Sequence, residues 1–309
     1  VRYPAIALYA FCRLMDDIID DGQDDEHIIL QLQKRLDLIY AGTPMAVPAD
    51  RALSEVVLQY SIPKALLEAL LEGFKWDKQG RQYESIEALY DYAARVAGSV
   101  GAMMCLIMGV KNERALARAC ELGLAMQLTN IARDVGDDAR NGRLYLPRTW
   151  LKEEGVDPDA WLLKPSFTPA IARVVNRLLK NADELYARSQ IGIAQLPRDC
   201  RAAIFAARLV YAQIGREIER HHLDSVSRRA VVSGMRKKIL MIRSLGAFIY
   251  SKGDDRDLVP IRAIQYLVDA SPKEISHKKY TSSFEQRMIC IIHILEKAEL
   301  HRMQGHMQQ

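Results

Sequence analysis

Apolar residues recur at every third or fourth position along almost the whole chain, and the strict alternation that marks a half-buried strand is nearly absent. That periodicity restricts the fold to packed helices. It predicts helices over 4–21, 26–40, 50–59, 63–79, 85–109, 112–138, 168–194, 199–221, 227–252 and 257–270. Glycine and proline punctuate them at "DGQDD", "AGTPMAVPAD", "SIPKA", "MGVKNE" and "QLPRD". Pro63 and Pro197 suit first-turn positions, where a missing N–H costs nothing. The stretch 141–169 lacks the period and reads as a long loop with one short helix. No low-complexity linker divides the chain, so residues 1–270 are expected to form one all-α domain. Residues 271–309 read as a C-terminal tail whose "FEQRMICIIHILEKAEL" is amphipathic. The chain opens at Val1, inside a helical pattern, so a preceding segment is expected to be missing.

Composition narrows the function classes. At 309 residues the chain can bury a substantial core. Its net charge of +4 is modest, and no basic block is interleaved with aromatics, so nucleic acid is not an expected partner. Five cysteines without a CxxC pair read as reduced core thiols of a cytoplasmic protein. With no signal peptide and no apolar run of about eighteen residues, the chain is not expected to span a membrane.

Against that background one stretch is costly. "LYAFCRLMDDIIDD" places Asp16, Asp17, Asp20 and Asp21 in the last turn of the first helix, just before Gly22. Like charges three or four residues apart each cost about 0.2–0.5 kcal/mol, and the helix dipole disfavours anions at that end. A solvated acidic end is one reading. A bound divalent cation is the other, because it reverses the sign of both terms. Tyr9, Arg13, Asp16 and Asp20 fall on one stripe, which suits a cavity wall better than a core or a solvent face.

A second stripe lies in "AMQLTNIARDVGDDARNGRLYLP". Gln127, Asn130, Asp134 and Asp138 share a face, and the helix runs into Gly136 and then Gly142. The amides suit either an interhelical hydrogen bond or a phosphate or metal-bound water. Carboxylates facing each other over a cavity suit Mg²⁺, with Mn²⁺ as a substitute. Zinc is disfavoured, because His221 and His222 are adjacent and no His/Cys cluster has ligand spacing. A P-loop, a dinucleotide fingerprint and a nucleophile elbow are all missing. Diphosphate as leaving group, with apolar helices sheltering a carbocation, is the chemistry that remains.

Three other stretches bear on that chemistry. In "YDYAARVAGSVGAMMCLIMGV", Gly98 and Gly101 inside a helix imply either close helix contact or room for a long hydrocarbon chain, with Tyr92 over the slot. In "RLVYAQIGREIER", Arg208 precedes Tyr211 by about one turn. "SRRAVVSGMRKKILMIR" is the most basic run. Most of it reads as a solvated face, yet Arg228, Arg229, Lys237 and Lys238, like Arg143, could meet a diphosphate.

The paired motifs "YAFCRLMDDIIDD" and "QLTNIARDVGDDARNGRLYLP" resemble those of the squalene/phytoene synthases, and "LEGFKWDKQGRQY" and "VAGSVGAMMCLIMGV" resemble the bacterial phytoene-forming members. The resemblance covers roughly residues 1–255. It implies a single isoprenoid-synthase-type helical bundle with a central cavity and both acidic motifs facing across it. It implies Asp16, Asp20, Asp134 and Asp138 as metal ligands with Asp17 in support, Arg13, Asn130 and Arg143 as contacts of the substrate diphosphate, and Tyr9, Tyr92 and Tyr211 along the cation's path. Gln127 and Arg229, from their places on the stripe and in the basic run, and Asp17 are further candidates to bind substrate. The implied reaction joins two geranylgeranyl diphosphates through a cyclopropylcarbinyl diphosphate, needs Mg²⁺ and no NADPH, and begins carotenoid synthesis. The lipophilic product implies peripheral membrane contact, and the sequence leaves the oligomeric state open.

Departures from the family pattern are also visible. A serine-rich N-terminal element is absent before Val1. Ala94-Arg95 stands where many members carry a second tyrosine before "VAG", and Arg95, one turn from Tyr92, is placed to reach an anion. The alternatives are a squalene, dehydrosqualene or presqualene diphosphate synthase acting on farnesyl diphosphate, or a non-catalytic assembly factor, which would be expected to have lost acidic-motif residues.

Overall fold

The computed structural model describes residues 1–21, 25–247 and 258–272, without the side chains of 16, 19–21, 25, 26 and 245–247. Among the described residues the regular structure is helical throughout. In chain order the helices are α1 (Arg2–Asp21), α2 (Asp25–Tyr40), α3 (Pro48–Tyr60), α4 (Lys64–Lys78), α5 (Ile86–Ala93), α6 (Ser99–Ile107) and α7 (Glu113–Arg140). They continue with α8 (Arg148–Glu153), α9 (Pro158–Leu163), α10 (Pro169–Ile193), α11 (Arg198–Arg220), α12 (Gly234–Ala247) and α13 (Gln265–Ala270). No helix among the described residues is long and apolar enough to cross a membrane. The amphipathic stretch of the tail lies outside the described residues.

Local chemistry sets most boundaries. The side chains of Ser85, Asn112, Asp157 and Thr168 accept the first free backbone N–H groups of α5, α7, α9 and α10. Pro48, Pro158 and Pro169 occupy first-turn positions, whereas Pro63 and Pro197 sit one residue earlier, as caps of α4 and α11. The 141–169 stretch holds two short helices, α8 and α9, not one. The run expected from 227 begins only at Gly234, because Asp224 turns the chain by accepting from the Val226 and Ser227 N–H groups. After Pro260 a 3₁₀ turn, Arg262–Ile264, replaces the expected first helical turn before α13.

The long run expected from 85 to 109 is divided. A π-helical turn, Ala94–Gly98, separates α5 from α6, a feature frequent at functional sites. The glycines around it settle the choice left by the sequence in favour of close contact. A Cβ on Gly101 would collide with the Ala119 carbonyl of α7, and one on Gly123 with the carbonyl of Ala97.

α7 is the centre of the bundle. It packs on α10, α6, α11 and α5, and α6 in turn touches α1. Between Ala115 and Ala139 every residue of α7 is buried except Ala119, Met126, Gln127, Asn130, Asp134, Asp137 and Asp138. A helix enclosed on nearly all sides is apolar all round. This one also buries Arg118, Glu121, Thr129 and Arg133, and its half-open strip of Gln127, Asn130, Asp134 and Asp138 is the sequence's second acidic stripe.

Candidate active site

At the C-terminal end of α7, Asp134 is gripped by two guanidinium groups. Arg133 donates Nε to Oδ1 at 2.8 Å and Nη2 to Oδ2 at 2.6 Å. Arg229, from the segment between α11 and α12, donates Nε to Oδ1 at 2.7 Å and Nη2 to Oδ2 at 3.5 Å. Burial alone would raise the Asp134 carboxyl, but the two arginines outweigh it and hold the group below its ordinary value. Arg229 also stands 3.7 Å from Asp137. What brings Arg229 here is Gly136. Its N–H donates to the Ser225 carbonyl at 2.9 Å, and a Cβ at this position would collide with the carbonyl of Val226. Gly136 is therefore a docking point inside α7 and not its stop. The stop is Gly142, at φ +71°.

One turn earlier, Asn130 Oδ1 is buried and has no hydrogen-bond partner. An acceptor left so costs free energy, about 1–3 kcal/mol, unless something meets it. A turn beyond Asp134, Asp138 lines a small cleft with Arg143, Tyr145, Ile131, Val135 and Leu146. The Arg143 N–H donates to the Asp138 carbonyl at 2.8 Å, which fixes the start of the cleft wall. The wall's far end is zipped to the α4–α5 loop: Arg148 N–H donates to the Tyr83 carbonyl at 2.9 Å and Thr149 N–H to that of Glu84 at 3.0 Å.

The remaining sequence-predicted residues lie on several other elements as well as on α7. Gln127 is half-buried on the α7 strip. On α1, Tyr9 is half-buried and Arg13 pairs with Asp17 at 2.7 Å. Asp16 and Asp20 lie on α1, with side chains outside the described set. Tyr211 is half-buried on α11, and Arg208 of the same helix donates to the Tyr186 carbonyl at 2.9 Å. Tyr92 is buried, its hydroxyl on Asp77. Arg228 and Lys238 are exposed and Lys237 is half-buried. Arg95 meets an anion of the fold itself: its Nε donates to Glu72 at 2.7 Å and its guanidinium lies 4.1 Å over Trp76.

Sequence reasoning missed Arg133, Asp77, Tyr83 and Tyr145. Arg133 stood inside the quoted motif, but its pairing with its own neighbour in sequence has no periodic signature. Asp77 and Tyr145 meet only across 68 residues of chain.

Among the described residues no three His, Cys, Asp or Glu side chains converge as a metal cage. The donor chemistry nevertheless fits Mg²⁺. The α7 strip offers an orphaned amide oxygen and carboxylate oxygens on successive turns, all hard ligands.

The described helices match the isoprenoid-synthase helical fold of solved squalene- and dehydrosqualene-forming enzymes, and the chain is an enzyme of the prenyltransferase type. The chain belongs to the squalene/phytoene synthase family, whose model matches residues 1–236. It is 53% identical over 249 residues to a phytoene synthase of Cereibacter sphaeroides, covering 77% of this chain and 70% of that one. It is 37% identical over 262 residues to a 15-cis-phytoene synthase of Pantoea ananas, covering 81% and 84%. Among solved structures it is similar to a dehydrosqualene synthase in complex with ligand, with TM-score 0.69 and 30% identity over 80% of this chain and 86% of that one. It is also similar to squalene synthase HpnC from Alicyclobacillus acidocaldarius, with TM-score 0.66 and 25% identity over 70% and 82%.

Proposed function

We propose that this chain joins two molecules of geranylgeranyl diphosphate head to head, forming phytoene and releasing two diphosphates. The observation that carries the reading is 53% identity to a named phytoene synthase, in a chain whose α7 strip keeps its amide and acids. The relatives named for squalene or dehydrosqualene formation are more distant, at 25–30% identity.

The residues divide the work. Asn130, Asp134 and Asp138, with Asp16 and Asp20 on α1, would hold Mg²⁺. When bound, that ion supplies positive charge to a leaving diphosphate. Arg143, at the cleft beside Asp138, and Arg13 and Arg229 are the diphosphate donors, since guanidinium matches phosphate oxygens in bidentate geometry. Ile131, Val135 and Leu146 keep the cleft wall apolar, which limits water near an allylic cation. The first ionisation frees one diphosphate. The second substrate's double bond attacks the cation, and loss of a proton closes a cyclopropane. The second ionisation frees the other diphosphate, and rearrangement with loss of a second proton gives the hydrocarbon. Hydrogens balance without a reductant.

The product is lipophilic, and α12 supports contact with a membrane surface. It carries no acid, and Met235, Ile239 and Ile242 are exposed beside Lys238 and Arg243. The test of the function is a product assay with purified protein and Mg²⁺, given C15 or C20 diphosphate with and without NADPH. A C40 hydrocarbon from the C20 substrate alone, indifferent to NADPH, is the expected result. Consumption of C15 only would replace the reading with the squalene-type alternative.

A further inference from the structure

Asp77, in the last turn of α4, accepts from two phenols at once. Tyr92 donates to Oδ2 at 2.7 Å and Tyr145 to Oδ1 at 2.6 Å. The two rings are stacked with centroids 5.3 Å apart, and Tyr83 completes the group at 5.2 Å from Tyr92. Tyr145 lines the cleft beside Asp138 and Arg143, whereas Asp77 is not among the cleft's lining residues. Tyr145 is therefore a cleft residue whose hydroxyl is held by a carboxylate that is not part of the lining. Burial, reinforced by the charge of Asp77, pushes the Tyr83, Tyr92 and Tyr145 phenols far above the usual tyrosine range, so none supplies a phenolate near neutral pH.

The orientation matters for a cation. A ring face attracts it without bonding. A phenol oxygen aimed at an allylic cation would give a lone pair, form a C–O bond and shed its proton to a neighbouring base, ending turnover as an aryl ether on the enzyme. Among side chains of this size an ionised carboxylate accepts both phenolic hydrogen bonds, one on each oxygen, and donates none. An asparagine keeps a single acceptor oxygen and adds two donors.

We propose that Asp77 is a positioning residue for the cation chemistry, holding the Tyr145 and Tyr92 hydroxyls so that Tyr145 offers its ring and not its oxygen to the reacting carbons. The inference rests on the head-to-head reading above.

The test uses the full chain with Mg²⁺ and geranylgeranyl diphosphate, measuring diphosphate released per C40 hydrocarbon and the peptide masses after turnover. Wild-type protein should release two diphosphates per hydrocarbon and gain no mass. D77N should lose activity progressively during turnover, releasing more than two diphosphates per hydrocarbon, and should carry a prenyl group on Tyr145. D77N/Y145F should lose the adduct and return the ratio towards two, a rescue that a merely structural role for Asp77 would not show. Y145F, which only removes a hydroxyl, covers the case in which D77N fails to fold. It should retain at least about tenfold more of the wild-type kcat than Y145L, which removes the ring. An unchanged ratio in D77N, a double variant no better than the single one, or a Y145F no more active than Y145L would each overturn the role. Wild-type protein that makes no C40 product overturns the head-to-head reading instead; the Tyr145 adduct in D77N still reads the positioning role on whichever prenyl diphosphate is ionised.

Discussion

Arg229 donates to Asp134 at 2.7 Å although 95 residues of chain separate them. The pair joins the segment after α11 to the open strip of α7, and it neutralises a carboxylate that the proposed function needs for a cation. Asp134→Asn removes the charge while keeping shape. Turnover is expected to collapse by at least about a thousandfold, as for loss of an essential group acting in the transition state. Helicity by circular dichroism should stay unchanged. Retained turnover would make the α7 strip structural only.

Gly136→Ala tests how Arg229 is placed. The new methyl group meets the Val226 carbonyl, so the segment must move and the Ser225 hydrogen bond to Gly136 is lost. A loss of at least about 1–3 kcal/mol in stability is expected by denaturant unfolding. The affinity for substrate should fall with it. A variant as stable and as active as the wild type would mean that the segment does not need its close approach to α7.

Acid should weaken the same pair. The folded-state pKa of Asp134 is lowered from its ordinary value of 3.8. Its stabilising contribution is therefore fully present above that ordinary value and is lost as pH falls through the lower, folded one. In Arg229→Gln the smaller, Arg229 part of the lowering disappears while the Arg133 part stays. The stability difference between wild type and R229Q, followed from pH 7 into acid, should accordingly shrink below the ordinary carboxylate range. A difference that stays constant through that range would contradict the pairing.

Far from the site, Asp50 of α3 is wholly buried and takes Arg35 of α2 in two hydrogen bonds, at 2.6 and 3.1 Å. Arg35→Met leaves a buried carboxylate without its cation, which costs about 3–5 kcal/mol. Arg35→Met with Asp50→Leu should recover most of that loss, since an apolar pair carries no uncompensated charge. Chemical denaturation of the two variants reads the difference directly.

What could be read from the sequence follows from the range of the interactions. The α7 strip of Gln127, Asn130, Asp134 and Asp138 was legible because helical period alone places residues on one face, and the structure leaves that face half-open. Gly101 carried two readings until the backbone of Ala119 was seen against it. Arg95 was expected to reach an anion, and it does, but the anion is Glu72 on α4. Residues 227–233 kept a helical pattern and still form no helix; at their start Asp224 takes the Ser227 N–H, and just before them the Gly136 N–H donates to the Ser225 carbonyl. Asp77 was invisible for the same reason. Its meaning comes from Tyr145, which no local spacing connects to it.

The central claim is tested most directly by the mass of the hydrocarbon formed when purified protein, with Mg²⁺, is given geranylgeranyl diphosphate and no reductant. The account predicts a C40 product with the mass of phytoene, accompanied by two diphosphates. Diphosphate release that yields only C20 alcohols, or product formed only from a C15 substrate, would contradict it.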